Sequence, residues 1–510
     1  MLPWLCLALG AILQPFAQLQ TVLPIAAWLA PVLLLHFSRN VRTLVAMPVI
    51  AVVSYGAAVF ALRDIFPWSA VFLLGLSGVL TVVPYLLDRL IGGRLPLVLS
   101  TLIFPTATVA LDWGLSLTGL GTLASVANSQ ASVLTLAQLS SVTGLWGITF
   151  LITWCAPVIN SAWEHRHSLP VARRVITPAL VVMLLVVTAG GMRLAFSPLQ
   201  PSTVRVAGLT ADRALSDAMD APSVEEIATG SASTRAAARS ELAPVVDELL
   251  VRTESTAREG AKIVAWAEAA GFVLKEDEAD VIDRARTIAS EHEIYLQVAS
   301  VSVLDTDTFP YAENRAIMVV PTGSVVWNYL KTVHPFGDNA VFEPGPGELP
   351  TVSTPYGTIS TIICYDADYP ALVRQAGRAG VDILLVPSND WQPIDIMHAQ
   401  ASIFRAVENG VNLVRPTGGG VSLAVDHLGR DLARSNYFQT DQVTMVADVP
   451  TRGVATPYAV IGDVVVYISC GLLAILTVGS LIRRRDRVLH DQENDDLDRT
   501  HTDELVGNRG

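Results

Sequence analysis

Three reactive side chains stand directly after apolar runs in the second half of this 510-residue chain. Glu268 follows Lys262-Ile-Val-Ala-Trp266 by one residue, Lys331 follows Val325-Val-Trp-Asn-Tyr-Leu330, and Cys364 follows Gly357-Thr-Ile-Ser-Thr-Ile-Ile363. In a fold where strands alternate with helices, strand ends gather at one edge of the sheet, where ligand sites form. The chemistry the three could share is acyl transfer through a thioester. A thiol attacks an acyl carbonyl, a carboxylate takes and relays the thiol proton, and an ammonium holds the oxyanion. Residues 366–375 read as a turn leading into a helix, and the free N–H groups of a helix start favour a thiolate or a nearby anion. Each residue alone has an ordinary reading: a small buried hydrophobe for Cys364, surface charges for Glu268 and Lys331. Their conjunction beside apolar strands carries the chemistry. Lysine usage adds to it, since Lys262, Lys275 and Lys331 are the only lysines among 34 basic residues. A lysine kept against that bias suggests a use for a compact ammonium.

The elements that must position these residues are legible as alternation. Strands are expected at 203–209, 262–266, 294–303, 316–320, 325–330, 357–363, 383–386, 411–415, 421–425 and 443–448, and helices at 231–258, 276–291, 370–379 and 397–409. Near-continuous apolar strands alternating with helices imply an α/β domain with its sheet covered on both faces. The stretch 201–452 is long enough for one such domain with its own core.

The rest of the chain is of another kind. Only 16% of residues are charged, against roughly a quarter in ordinary soluble proteins. Seven apolar runs, at 1–17, 20–37, 43–62, 67–87, 95–117, 142–162 and 175–196, and an eighth at 461–482, read as long enough to cross a bilayer, which takes about 20 residues. The first run lacks a charged leader and a small-residue cleavage site, so it reads as a span rather than a removed signal peptide. Arginines 39, 42, 89, 94, 166, 173, 174, 483, 484, 485 and 487 all fall in loops on one side. The loops between spans on the other side carry only Arg63, offset by Asp64, and nothing basic over 118–141. The positive-inside rule then places both termini in the cytoplasm and 197–460 outside. The expected architecture is a polytopic α-helical membrane bundle of about eight spans, seven of them in 1–196, plus an extracytoplasmic α/β domain.

Cys6, Cys155 and Cys470 lie inside predicted spans, leaving Cys364 without an intradomain disulfide partner. A free thiol in an oxidising compartment is a liability unless buried or used. Pro84 and Pro105 are expected to kink their helices and open a cavity. Asp112, near the outer end of its span, reads either as a functional carboxylate or as one facing outer water. Small residues in Gly144-Leu-Trp-Gly147 allow close helix approach. The net charge of −13 argues against a nucleic-acid partner, and 486–510, with eight acidic residues against three arginines, is expected to be a disordered acidic cytoplasmic tail. No metal-ligand spacing and no nucleotide-binding loop is visible, so neither metal nor cofactor is expected.

Trp266-Ala-Glu268, then Tyr329-Leu-Lys331 with His334-Pro-Phe-Gly337, then Ile363-Cys364-Tyr365-Asp366 resemble the Glu–Lys–Cys triad of the nitrilase, or carbon–nitrogen hydrolase, superfamily. Pro387-Ser-Asn-Asp390-Trp391, His398 and Arg405-Ala-Val-Glu408-Asn409-Gly410 resemble its C-terminal half. A domain of this kind between seven spans and an eighth is similar to one membrane family, the apolipoprotein N-acyltransferases. The resemblance implies an αββα sandwich with Glu268 as general base, Lys331 as oxyanion stabiliser and Cys364 as nucleophile, supported by Asp338, Tyr365 and Asp366. It also implies a bacterial cell (inner) membrane location, a phospholipid acyl donor and a diacylglyceryl-cysteine lipoprotein as acceptor through its α-amino group. Ala267 stands where the family has proline, positions 338 and 366 carry aspartate in place of glutamate, and the segment from Lys331 to Pro335 is one residue shorter. The alternative is a membrane-anchored amidase using water on a small amide; a third reading is a relative that binds lipoproteins without turnover.

Overall fold

The structure, a computed structural model, describes residues 1–197, 202–213, 223–440 and 443–507, with 486–507 described by backbone alone. Pro201, the expected first residue of the α/β domain, and 508–510 of the expected tail lie outside the described residues.

Each apolar run holds a helix. Six are long and apolar enough to cross a membrane: Thr43–Leu62, Trp68–Arg94, Leu97–Ser116, Leu145–Glu164, Leu169–Phe196 and Val464–Arg485. The first two runs fold as the shorter Leu2–Phe16 and the 17-residue Pro24–Asn40. Two of the long helices are interrupted where proline forbids continuity. The chain breaks at Thr81 and again at 101–102, and Pro84 and Pro105 sit in the first turn of the segment that follows each break. There the missing proline N–H would have had no intrahelical partner anyway. Pro84 and Phe104 line a cavity of about 130 Å³ between these segments. Asp112 is half-buried and engaged by its neighbours. Its Oδ2 accepts hydrogen bonds from Ser125 Oγ at 2.7 Å and Thr149 Oγ1 at 2.9 Å, making it a strut between helices.

The α/β domain has four layers, and period-2 alternation explains them. Val204, Val206, Ile263 and Ala265 pack between two sheets, against Ile359, Ile383 and Leu385. Their neighbours Ala207, Leu209, Val264 and Trp266 pack outward against Val245, Leu249 and Ala285 of the helices Ala232–Arg258 and Glu278–Glu291. The second sheet does the same, burying Leu384, Leu413 and Leu423 against Pro370–Arg378 and Asp395–Asn409. One sheet orders its strands as 444–450, 203–209, 263–266, 295–303, 312–319 and 325–330, with 271–274 also paired to 295–303. The other orders them as 431–436, 421–425, 412–415, 383–385, 357–361 and 351–354. The edge strands Thr351–Thr354 and Asp431–Asn436 are half-exposed and polar, which is why alternation did not announce them.

Bundle and α/β domain share cores. Ala61, Leu62, Ile65 and Leu123 cluster with Tyr365, Ile394 and Met397. Glu408 Oε1 accepts from the backbone N–H of Leu145 at 2.8 Å, capping a membrane helix from the other domain. A Cβ at Gly144, whose φ is +63°, would meet the Tyr458 ring at 2.5 Å, so the close approach there requires glycine. The helix beginning at Val464 runs on to Gly507, through the tail expected to be disordered. Residues 486–506 contain no glycine or proline, and extending a nucleated helix adds a hydrogen bond per residue at no nucleation cost.

Candidate active site

Glu268, Lys331 and Cys364 meet in one cavity of about 410 Å³. The turn after strand 263–266 buries Glu268, 6% exposed, and the next residue, Ala269, has φ of +56°. Ala267 donates its N–H to Leu209 O at 2.7 Å, a bond that proline at this position lacks a hydrogen to make. Lys331 ends its strand with its N–H on Asn314 O at 2.9 Å and its carbonyl accepting from Gly345 at 2.8 Å. Its ammonium, 2% exposed, donates to Glu268 Oε1 at 2.6 Å. Asn314 Nδ2 donates to the same oxygen at 2.8 Å, and the Asn389 N–H to Oε2 at 2.9 Å. Both carboxylate oxygens are thus held from different strands.

Cys364 opens a short 3₁₀ turn, Cys364–Asp368, with φ of +48°. The left-handed conformation costs a non-glycine residue about 1–2 kcal/mol, so nucleophile-type and base-type residues alike sit beside strained turns, a pattern associated with functional sites. The Cys364 Sγ faces the Asn389 carbonyl at 3.8 Å. Burial pushes this thiol well above its ordinary range, the Glu268 charge adds to the effect, and Lys331 opposes it. At neutral pH the resting group is therefore a thiol, which needs a base when an electrophile arrives.

Among the supporting residues, Asp366 is buried beneath the cavity rather than lining it. Its Oδ2 accepts from Ile363 N at 3.0 Å and Tyr329 Oη at 2.8 Å; its Oδ1 accepts from Thr332 N at 3.2 Å and Val333 N at 2.7 Å. This carboxylate ties the turn after Lys331 to the turn of Cys364, and aspartate is long enough for all four bonds. Burial outweighs those bonds and raises its carboxyl to about 6. Asp338 lines the cavity, its carboxyl raised by burial and by Glu268 against the pull of Lys331. Tyr365 also lines it, while its hydroxyl donates to Gly119 O at 2.9 Å across the seam to the bundle.

Sequence reasoning did not find Asn314, which precedes the strand expected at 316–320 and falls inside the observed strand Ala312–Val319, or Arg415, although a charged residue in the apolar strand expected at 411–415 was a signal, and it gave Asp390 and His398 no role. The ligand-type atoms of Cys364, Asp390 and His398 lie within 4.8 Å of one another, a grouping that no local spacing announces. The carboxylate and imidazole are engaged with each other and with Asp368 and Arg415. Nor did the sequence show that Ile65, Phe66, Pro67 and Leu123 of the bundle wall the cavity.

A buried carboxylate, ammonium and thiol thus stand together at the ends of strands in two facing sheets, the groups that acyl transfer or amide cleavage through a thiol would require. Residues 227–457 match the carbon-nitrogen hydrolase family model, and this part of the chain is a carbon–nitrogen hydrolase domain. The chain is 26% identical over 386 residues to the apolipoprotein N-acyltransferase of Geobacter metallireducens, a match covering 70% of each chain. It is 32% identical over 155 residues to that of Haemophilus influenzae, covering 29% of each. Among solved structures it is similar to an amidase from Nesterenkonia sp., at 21% identity and a TM-score of 0.39, covering 53% of this chain and 97% of that one.

Proposed function

We propose that this protein is a lipoprotein N-acyltransferase of the carbon–nitrogen hydrolase superfamily, working in two steps on Cys364. In the first, Glu268 takes the thiol proton and the sulfur attacks an ester carbonyl of a phospholipid. The oxyanion is held by Lys331, the lysophospholipid oxygen leaves with the proton, and a thioester remains. In the second, the free α-amino group of a diacylglyceryl-cysteine attacks the thioester, Glu268 carries its proton to the departing sulfur, and an amide is left.

The observation that carries this reading is the cavity wall. Ile65, Phe66, Pro67 and Leu123 come from the membrane bundle, and exposed Phe336 and Trp391 also line the cavity. A soluble small amide needs no such wall, whereas a lipid-anchored donor and acceptor both do. Apolar walls that keep water from the thioester favour aminolysis over hydrolysis. The arginines support an orientation with the hydrolase domain outside. The shared core places the 62–65 end of helix Thr43–Leu62 at the hydrolase domain, and its other end lies near Arg39 and Arg89, which bond each other there.

Mass spectrometry of one lipoprotein's N-terminal peptide tests the reading, comparing cells with the wild-type protein and with Cys364→Ala. The expected outcome is an N-linked acyl chain in the first and the diacylglyceryl form alone in the second, a loss of about four orders of magnitude or more. Identical N-termini would sink the acyltransferase reading, and ammonia release from small amides would then favour the hydrolase.

A further inference from the structure

A buried chain of four charges lies behind the cysteine. Asp390 accepts from Arg415 Nη2 at 2.9 and 3.0 Å, and its Oδ1 lies 2.8 Å from His398 Nδ1. On the far side of the ring, His398 Nε2 lies 2.8 Å from Asp368 Oδ2. His398 is 2% exposed and Arg415 not at all. Ionised carboxylates only accept, so two of them on the two ring nitrogens call for an N–H at each. Charge makes the same demand, because Arg415 neutralises one of the two buried aspartates and the second needs another cation.

The two aspartates belong to the two segments that hold the cysteine. Asp368 closes the 3₁₀ turn that Cys364 opens, and its carbonyl accepts from Thr122 N at 2.9 Å and Oγ1 at 3.0 Å. Asp390 follows Asn389, whose carbonyl faces Sγ at 3.8 Å and whose N–H binds Glu268 at 2.9 Å. We infer that His398, held as an imidazolium between Asp368 and Asp390, is a positioning residue that clamps together the two segments fixing Cys364 and Glu268. Its ring lines the cavity with one nitrogen within 4.8 Å of Cys364 Sγ, but its hydrogen bonds go to Asp368 and Asp390, so it acts through the backbone of Asn389 and the strained turn of Cys364.

The groups facing His398 are Asp390, Asp368, Arg415 with Nη2 at 3.0 Å from Nδ1, Cys364, and the Tyr365 ring at 6.3 Å. Burial works against the charge, but Asp390 and Asp368 outweigh it and Arg415, pushing His398 up to about 9. The sign follows: the stabilisation from the charged clamp is complete below the ordinary histidine range and is lost as pH rises through about 9, where the imidazolium gives up its proton.

The inference rests on Cys364 being the nucleophile but not on the natural acyl donor, so the probe is p-nitrophenyl butyrate. Its single-turnover acylation of Cys364 in the detergent-solubilised full chain reports the thiol whichever reading of the donor holds. Wild type is expected to lose acylation rate as pH rises through about 9. His398→Gln should acylate about a hundredfold more slowly, as for a misplacement near 1 Å, and should lack that alkaline limb. A merely structural contribution would slow the reaction without removing the limb. Asp368→Asn removes one of the two charges that sustain the imidazolium and should move the limb down by about one pH unit, a result that stands even if His398→Gln does not fold. A His398→Gln rate within a few-fold of wild type, or a limb that stays in place in Asp368→Asn, overturns the inference.

Discussion

The floor and the wall of the catalytic cavity are built from opposite materials. The floor, from the hydrolase domain, buries Glu268, Lys331, Asp368, Asp390, His398 and Arg415 with their charges paired, and Asp366 among four neutral hydrogen-bond donors. The wall from the bundle, Ile65, Phe66, Pro67 and Leu123, carries no charge. Buried ion pairs are poor sources of stability, because desolvation of both partners offsets their attraction. Their concentration on one side therefore speaks for geometry: the groups proposed to act on a carbonyl are locked in place at strand ends. The wall has no such demand. It needs only to be apolar.

The floor is broken most severely at Glu268. Glu268→Gln keeps an oxygen for Lys331 and Asn314 but removes the base and the counter-charge of a fully buried ammonium. Thioester formation is expected to fall about 10³-fold, within the usual range for a general base. Trapping the acyl-enzyme from a labelled phospholipid measures it. Retention within tenfold of wild type would transfer the base role to Asp338, whose carboxyl also lines the cavity and, unlike that of Asp390, is in no ion pair with an arginine among the described residues. Lys331→Met tests the same pair from the cation's side and is expected to leave Glu268 uncompensated, destabilising the fold by about 3–5 kcal/mol in thermal unfolding.

How much of this was legible from the residues follows from the same contrast. Glu268, Lys331 and Cys364 each end an apolar run, so local periodicity placed them at strand ends, and two facing sheets brought those ends together. The helices of the bundle were equally legible as apolar runs. The partners were not. Asn314, Arg415 and the His398 clamp come from separate elements with no shared period, and only the tertiary fold unites them. The wall was hidden for a related reason. Residues 63–67 and 118–125 were read only as outer loops with little basic charge, yet Thr122 and Gly119 bond Asp368 and Tyr365 from the other domain. The outer loop is in fact folded into short turns that bury Ala127, Asn128 and Gln130. The aspartates at 338 and 366 looked short for their roles; at 366 the surrounding N–H groups close in and make up the difference.

A substitution in the wall sharpens the comparison, because it should spare the chemistry. Phe66 lines the cavity and meets Trp391 edge to face, with ring centroids 6.5 Å apart. Phe66→Ala is expected to raise KM for a long-chain phospholipid donor about tenfold, equivalent to about 1.4 kcal/mol of lost apolar contact. Acylation of Cys364 by p-nitrophenyl butyrate should stay within twofold of wild type, since that short chain makes little use of the wall. Equal losses on both donors would show that Phe66 supports the floor, and the division of labour between the two regions would be wrong.

The smallest expected effect lies at the seam, where Tyr365 belongs to both regions. Its ring lines the cavity and packs with Ile65 and Leu123, while its hydroxyl donates to Gly119 O at 2.9 Å. Tyr365→Phe keeps the ring and deletes one hydrogen bond, leaving a carbonyl unpaired at the joint. A bond of this kind contributes about 1 kcal/mol net, so thermal unfolding should begin a few degrees earlier and the donor KM should rise by a few-fold. The rate of thioester formation at saturating donor should hardly change, because Asp366 and the His398 clamp, not Tyr365, fix the turn that carries the sulfur. A hundredfold fall in that saturated rate would put the Tyr365 hydroxyl at the reacting carbonyl, and the residue would then belong to the floor.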